Sequence, residues 1–288
     1  MAQVDSFYEK DSGTACYIVS CPETKKAIII DCVLNFNSNS GSTTTTFADG
    51  LVEHVKSKEL DVEYVVETHA HADHLTAGPY LKSQFGGKPK ICIGENIQTV
   101  QKTFSKVYNN NMSTEGNQFD HLWKDGEKFS VGNLNFEIMH TPGHTPDHVC
   151  YHLPGDAVFT GDSLFMPDQG TARCDFPNGS AEDLWQSIQK VLSLDPNTRC
   201  FVGHDYGPGG REPAWETTIA KEKEANIHVK DGTKKSEFVE WRATRDGTLD
   251  HPRLVIPAIQ VNIQAGYFPK PEDNGEIYLK SPVNVVKK

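Results

Sequence analysis

The segment THAHADH, residues 68–74, constrains this chain more than any other feature. It follows the apolar run Tyr64-Val65-Val66, which reads as a buried strand, so its polar groups are delivered at a strand end. At His-x-His spacing on an extended loop, His69 and His71 point to one side, while Asp73 and His74 turn towards a neighbouring position. A set of imidazole and carboxylate donors this dense suits borderline cations such as zinc.

The arrangement recurs further along the chain. His144 lies in TPGHT (141–145), after an apolar strand pattern, with Pro and Gly setting a tight turn. Asp162 lies in FTGDS (159–163) and His204 in FVGHDY (201–206), each where an apolar strand meets a loop. One histidine after a strand is ordinarily structural, but four strand ends that all deliver His or Asp define a metal centre. The spacing assigns His69, His71 and His144 to one ion and Asp73, His74 and His204 to a second, with Asp162 as the bridge. Two zinc-like cations so placed would acidify a shared water and polarise a carbonyl, with no need for a serine nucleophile. The reaction predicted is hydrolysis of a small lactam, lactone, ester or thioester-like bond.

Two further residues are catalytic candidates besides Asp73. Tyr206, two positions past His204, is placed to donate to a developing oxyanion or to pack beneath the metals. Arg173 is placed either to bind an anionic group of the substrate or to form a salt bridge with Asp175. Thr68 and Asp205 are expected to orient ligating imidazoles. His148 reads as a strand residue facing solvent, and Cys174 as an inert thiol. His54, His121, His140, His152, His228 and His251 have no partners in sequence and read as structural or surface residues. Trp185, Trp215 and Trp241 sit on helical patterns as packing residues.

The pattern along the rest of the chain fixes the fold class. Strand-like runs at Ala15–Val19, Ala27–Ile30, 90–93, 128–131, 134–139, 149–153, 157–160 and 200–202 mix hairpin pairs with helical stretches at 47–55, 97–107, 181–192, 212–225 and 235–245. Ser180 is the expected N-cap of the helix at 181. Hairpins mixed with helices do not make a repeating βαβ chain, so an α+β fold with two sheets face to face and helices outside is predicted. The polar run 35–46 reads as a solvated loop. Loops 32–48, 108–122 and 163–180 are expected to shape the pocket. Residues 1–230 form the predicted catalytic domain, and 231–288 a helical, Pro-rich extension packed on it.

Charge and cysteine usage narrow the setting. With a net charge of −11 over 288 residues, the surface repels nucleic acid and anionic membranes, which leaves a small-molecule substrate as the expected partner. The seven cysteines contain no CxxC pair, and neither the N-terminal stretch MAQVDSFYEKDSG nor any later run has the ~20 apolar residues of a span, so a reduced, cytoplasmic enzyme is predicted. A homodimer is compatible with this composition, which does not choose between it and a monomer.

The motif set HxHxDH followed by isolated His, Asp and His resembles the metallo-β-lactamase superfamily over roughly residues 14–226. The resemblance implies an αββα sandwich with a metal site at one edge, in a family that includes lactamases, lactonases and glyoxalase II-like thioesterases. Residues 141–210 look most like the persulfide dioxygenases. That branch implies an alternative to hydrolysis: one ferrous iron on His69, His144 and Asp162, oxidising the sulfur of glutathione persulfide. The segment Thr171-Ala172-Arg173-Cys174-Asp175-Phe176 keeps the Arg, Asp and Phe of that branch but has Thr171 in place of its first Cys. Asp147 and His148 stand where the branch usually has small or thiol side chains.

Overall fold

Two six-stranded sheets pack face to face, and the alternation of side chains along their strands explains why. In the computed structural model, which describes residues 1–285, the first sheet contains β1 (Gln3–Glu9), β2 (Thr14–Ser20), β3 (Lys26–Ile30), β6 (Asp61–Val66), β8 (Lys90–Gly94) and β9 (His121–Trp123), in that spatial order. Strands β1 to β3 form an antiparallel meander, and β3, β6, β8 and β9 run parallel. The second sheet is formed by β10 (Lys128–Val131), β11 (Leu134–His140), β12 (Val149–Leu153), β13 (Ala157–Phe159), β14 (Arg199–Phe201) and β15 (Glu216–Thr218). It is antiparallel except where β13 meets β14. A small antiparallel sheet joins β4 (Val33–Asn37) to β5 (Ser42–Thr44) and β7 (Leu75–Thr76).

Period-two alternation sorts each central strand between two cores. Tyr17, Val19, Ile28 and Ile30 face inward against Phe136, Tyr151, Phe159 and Phe201 of the other sheet. The Tyr17 ring lies 5.3 Å from Phe159 and 5.4 Å from Phe201. Their neighbours Cys16, Ile18, Ala27 and Ile29 face outward, where helix α1 (Thr46–Ser57) covers them with Leu51, Val52 and Val55. Helices α2 (Gly78–Gln84) and α3 (Ile97–Tyr108) cover the same sheet. On the far side α4 (Ala181–Leu192) lays Leu184, Ile188 and Val191 on the second sheet. Its N-cap is Ser180, whose hydroxyl accepts from the Asp183 N–H at 3.2 Å, as the sequence predicts. The αββα sandwich is therefore the fold.

Three expectations are corrected. Residues 35–46 are not a loop: β4 and β5 form a hairpin with Phe36 opposite Thr43, since a Ser/Thr run supports exposed strand as readily as coil. Residues 212–225 are not one helix. Thr217 and Thr218 pair with β14, and the Thr218 hydroxyl then caps α5 (Ile219–Ala225) by accepting from the Lys221 N–H. The C-terminal stretch contains α6 (Lys235–Asp246) and also α7 (Val255–Asn262), whose pattern shows no polar face. Ala258 and Val261 of α7 enter the core beneath β2 and β3, while Val255 and Ile259 pack with α3.

Candidate metal centre

Every motif residue lies where a strand of the sandwich ends. Strand β6 runs into His69–His74, β11 ends just before His144, β13 before Asp162 and β14 before His204. Backbone pairing holds these ends together: Thr14 bridges to His204, and Ala15 donates its N–H to the Gly203 carbonyl at 2.8 Å. Gly143 must be glycine, because a Cβ there would lie 2.3 Å from the backbone of Leu184 at the start of α4.

Hydrogen bonds fix one nitrogen of His69, His71, His74 and His144, whereas Nδ1 of His204 finds no partner among the described residues. The Thr68 hydroxyl donates to Asp31 Oδ2 (2.9 Å) and so accepts from His69 Nδ1 (3.0 Å). His71 donates from Nε2 to Asp31 Oδ1 at 3.0 Å and approaches Glu67 Oε2 at 3.2 Å. His74 Nδ1 donates to Asp73 Oδ2 at 2.9 Å, and His144 Nδ1 donates to the Arg173 carbonyl at 2.7 Å. Among the described residues, Nε2 of His69, Nδ1 of His71 and Nε2 of His74 are buried with no partner, as is Oδ1 of Asp162. Buried polar atoms are ordinarily paired, and four orphans in one place fit a metal cation.

The grouping of donors differs from the expected split. Ligand atoms of His69, His144 and Asp162 lie within 4.8 Å of one another, as an ion would require. His71 and His74 come together with Glu67 rather than one with each expected trio. Asp73 Oδ2 lies 3.6 Å from His204 Nε2. Asp162 faces both halves: its Oδ2 is 3.5 Å from His144 Nε2 and its Oδ1 is 3.5 Å from His204 Nε2.

Charge follows from these contacts. Burial and the neighbouring imidazoles His71 and His144 push the pKa of His69 well below its usual value, which keeps it neutral as a ligand must be. Burial opposes a charge on His71, yet the carboxylates of Asp31 and Glu67 raise its pKa well above the ordinary imidazole. Burial also opposes ionised Asp73, but His74 and His204 hold its pKa well below the carboxylate range. Asp162 and Asp73 in turn raise His204 against the effect of its burial.

The other candidates fall as follows. Arg173 grips Asp175 with a two-pronged contact at 2.5 Å and donates to the Asp250 carbonyl at 2.7 Å, so its salt-bridge alternative describes the side chain. Tyr206 is 61 % exposed, stacks on His204 at 5.7 Å and lines the cavity over the motif rather than packing beneath it. Thr68 orients an imidazole, whereas Asp205 binds Arg211 and the Ala214 N–H instead. Cys174 is buried, and burial pushes its thiol pKa up. His148 does not face solvent: it is fully buried, and its Nε2 accepts from the Asp162 N–H at 2.9 Å.

Sequence reasoning missed several supports. Asp31 and Glu67 flank His71, and the buried Asp147 accepts from the Ala70 N–H at 2.8 Å. Asn262, at the end of α7, donates to the carbonyls of His71 (2.8 Å) and His74 (2.7 Å) and accepts from the Thr76 N–H. The only signal for the first two was their position at ends of apolar runs. The cavity of about 560 Å³ over the centre is lined by Phe165, Gln169 and Thr171 to Arg173 of the expected loop 163–180, but by no residue of 32–48 or 108–122. Trp241 and His228, read as packing and surface residues, both line it.

A fold of two facing mixed sheets with His and Asp gathered at strand ends defines a metal-dependent enzyme class, and the family model of the metallo-beta-lactamase superfamily matches residues 10–204. The chain belongs to that superfamily. It is 47 % identical to "Glyoxylase B2" of Dictyostelium discoideum, over 99 % of this chain and 98 % of that protein. It is 46 % identical to a "Beta-lactamase hydrolase-like protein" of Xylella fastidiosa, over 99 % of this chain but only 65 % of that longer protein. Among solved structures, ETHE1 from Myxococcus xanthus superposes with a TM-score of 0.72 at 29 % identity, covering 92 % of this chain and 100 % of that one. Among the described residues no helix is long and apolar enough to cross a membrane.

Proposed function

We propose that this chain is an iron-dependent dioxygenase of a small organic persulfide such as glutathione persulfide. The observation that carries the reading is the mutual approach of His69, His144 and Asp162 within 4.8 Å, while His71 and His74 turn towards Glu67. Two imidazoles and one carboxylate are the donor set of non-haem ferrous sites. The likeness to ETHE1 over nearly the whole chain supports the same branch. The reaction balances as persulfide, dioxygen and water giving thiol and sulfite, with four electrons passing from the outer sulfur to dioxygen.

Ferrous iron at the triad would supply sites for a thiolate and for dioxygen. The chain's own residues set the conditions around it. Thr68 and the Arg173 carbonyl keep His69 and His144 in the tautomers that present Nε2. Asp31 and Glu67 hold His71 beside His69, at a ring separation of 4.1 Å. A phenol stays protonated at neutral pH, so the Tyr206 hydroxyl remains a donor at the cavity wall.

A second reading, the two-zinc hydrolase of a lactam, lactone, ester or thioester, is favoured by the two-sided placement of Asp162 and by the bare Nε2 of His74. Metal analysis coupled to oxygen uptake separates the two. One iron per chain with oxygen consumed on adding glutathione persulfide supports the dioxygenase. Two zinc ions per chain with hydrolysis and no oxygen uptake would replace it with the hydrolase.

A further inference from the structure

The wall of the cavity contributed by the C-terminal third carries a polar strip that the metal centre does not use. His228 lies between α5 and α6, and Trp241 and Arg245 stand one turn apart on α6; all three line the cavity. The His228 ring is fixed on several sides. Its Nδ1 accepts from the Thr171 N–H at 3.0 Å, and its face lies 3.8 Å from the Trp241 ring. Gly170 leaves it room, since a Cβ there would fall 2.0 Å from Nδ1.

An imidazole that accepts at Nδ1 carries its proton on Nε2 when neutral. Burial and the nearby Arg242 lower its pKa to about 4, so the neutral form prevails at physiological pH. Among the described residues Nε2 makes no hydrogen bond, and it is not one of the enclosed orphan atoms, which leaves a fixed N–H edge available to the cavity that His228 lines. Arg242, stacked over Trp241 at 4.7 Å, is neutralised by its ion pair with Asp246. The exposed Arg245 instead donates to the Thr248 hydroxyl at 3.3 Å, a bond a stronger acceptor would displace.

We infer that His228 and Arg245 form a carboxylate-binding subsite, with the His228 Nε2–H donating to a substrate carboxylate oxygen and Arg245 supplying the counter-charge. The cavity thereby selects small acidic substrates although the protein as a whole is acidic. The inference deepens the proposed function and rests on its reading of this cavity as the substrate's, but not on the metal or on the reaction.

Calorimetric titration of the metal-loaded protein with glutathione and with its diethyl ester tests the subsite without turnover. The native protein is expected to bind the acid at least about ten-fold more tightly than the ester, as a hydrogen bond to a charged group implies. His228→Phe and Arg245→Met should each remove most of that preference while leaving metal content and ester affinity unchanged. Because His228→Phe leaves the Thr171 N–H unpaired, the surface change Arg245→Met, which does not touch that bond, keeps the test open should His228→Phe misfold. Equal binding of acid and ester by the native protein, or a preference that survives Arg245→Met and a folded His228 variant, overturns the subsite. Loss of oxygen uptake with the preference intact would count against the dioxygenase alone.

Discussion

His148 holds Asp162 by its backbone: the Asp162 N–H donates to His148 Nε2 at 2.9 Å, which obliges the imidazole to carry its proton on Nδ1, 2.8 Å from the Thr141 hydroxyl. Burial and the neighbouring His144 push the His148 pKa well below its usual value, so the acceptor nitrogen stays unprotonated. There is no slack around this contact, because a Cβ on Gly161 would lie 2.7 Å from both His148 Nε2 and Thr68 Oγ1. Replacing His148 with Ala should weaken metal retention by roughly 10–100-fold, the usual effect of removing a group that orients a ligand. Competition with a chelator measures it, and unchanged retention in a folded variant would show that Asp162 is positioned by other groups.

The two sides of Asp162 separate the proposed chemistries by mutation. If one ion resides on His69, His144 and Asp162, then Asp162→Ala and His144→Ala lose it, whereas Asp73→Ala and His204→Ala retain about one metal per chain. Elemental analysis of the four variants gives the answer. A native stoichiometry near two that drops to about one in Asp73→Ala would instead establish a second ion beside His204, 3.6 Å from Asp73.

Tyr206 stands apart from the ligands in what it can do. Its ring stacks on His204 and touches Gly13, where a Cβ would fall 2.6 Å from it, and its hydroxyl keeps its proton near the metal carboxylates. Tyr206→Phe should lower turnover about ten-fold, the worth of one hydrogen bond to a developing charge, with metal content unaltered. Steady-state kinetics beside metal analysis checks both halves, and full turnover would reduce Tyr206 to a packing role.

How much of this was legible depends on whether the signal was local. THAHADH after Val65-Val66 could be read because an apolar strand and its polar terminus are adjacent in sequence. Asn262 could not, since its two hydrogen bonds reach carbonyls 191 and 188 residues away, and nothing near it marks a partner. Helix α7 was hidden for a related reason: it is buried on two sides, so the periodic polar face that reveals a surface helix is missing. His148 was misread because period-two alternation places it on the outer face of β12's approach, and only the tertiary contact with Asp162 shows that this face is covered. The grouping of His71 with His74 and Glu67 likewise depends on ring directions, which spacing alone does not set.

Glu222 on α5 gives the fold a pH dependence separate from the metal centre. Its carboxyl is fully enclosed, with one oxygen accepting from Asn226 Nδ2 at 2.7 Å and the other without a partner among the described residues. Burial raises its pKa to about 8. An unfolded glutamate ionises near its ordinary value of about 4.3, so between there and about 8 the native state keeps a proton that the unfolded chain releases. Stability from this group is therefore fully present at acid pH and declines as pH rises towards 8, by several kcal/mol in all. Glu222→Gln retains the shape without the titration and should flatten that decline, with the largest gain over the native protein at pH 8 and above. Denaturant unfolding at a series of pH values measures the slope, and identical slopes in both proteins would mean that Glu222 is ionised in the native state.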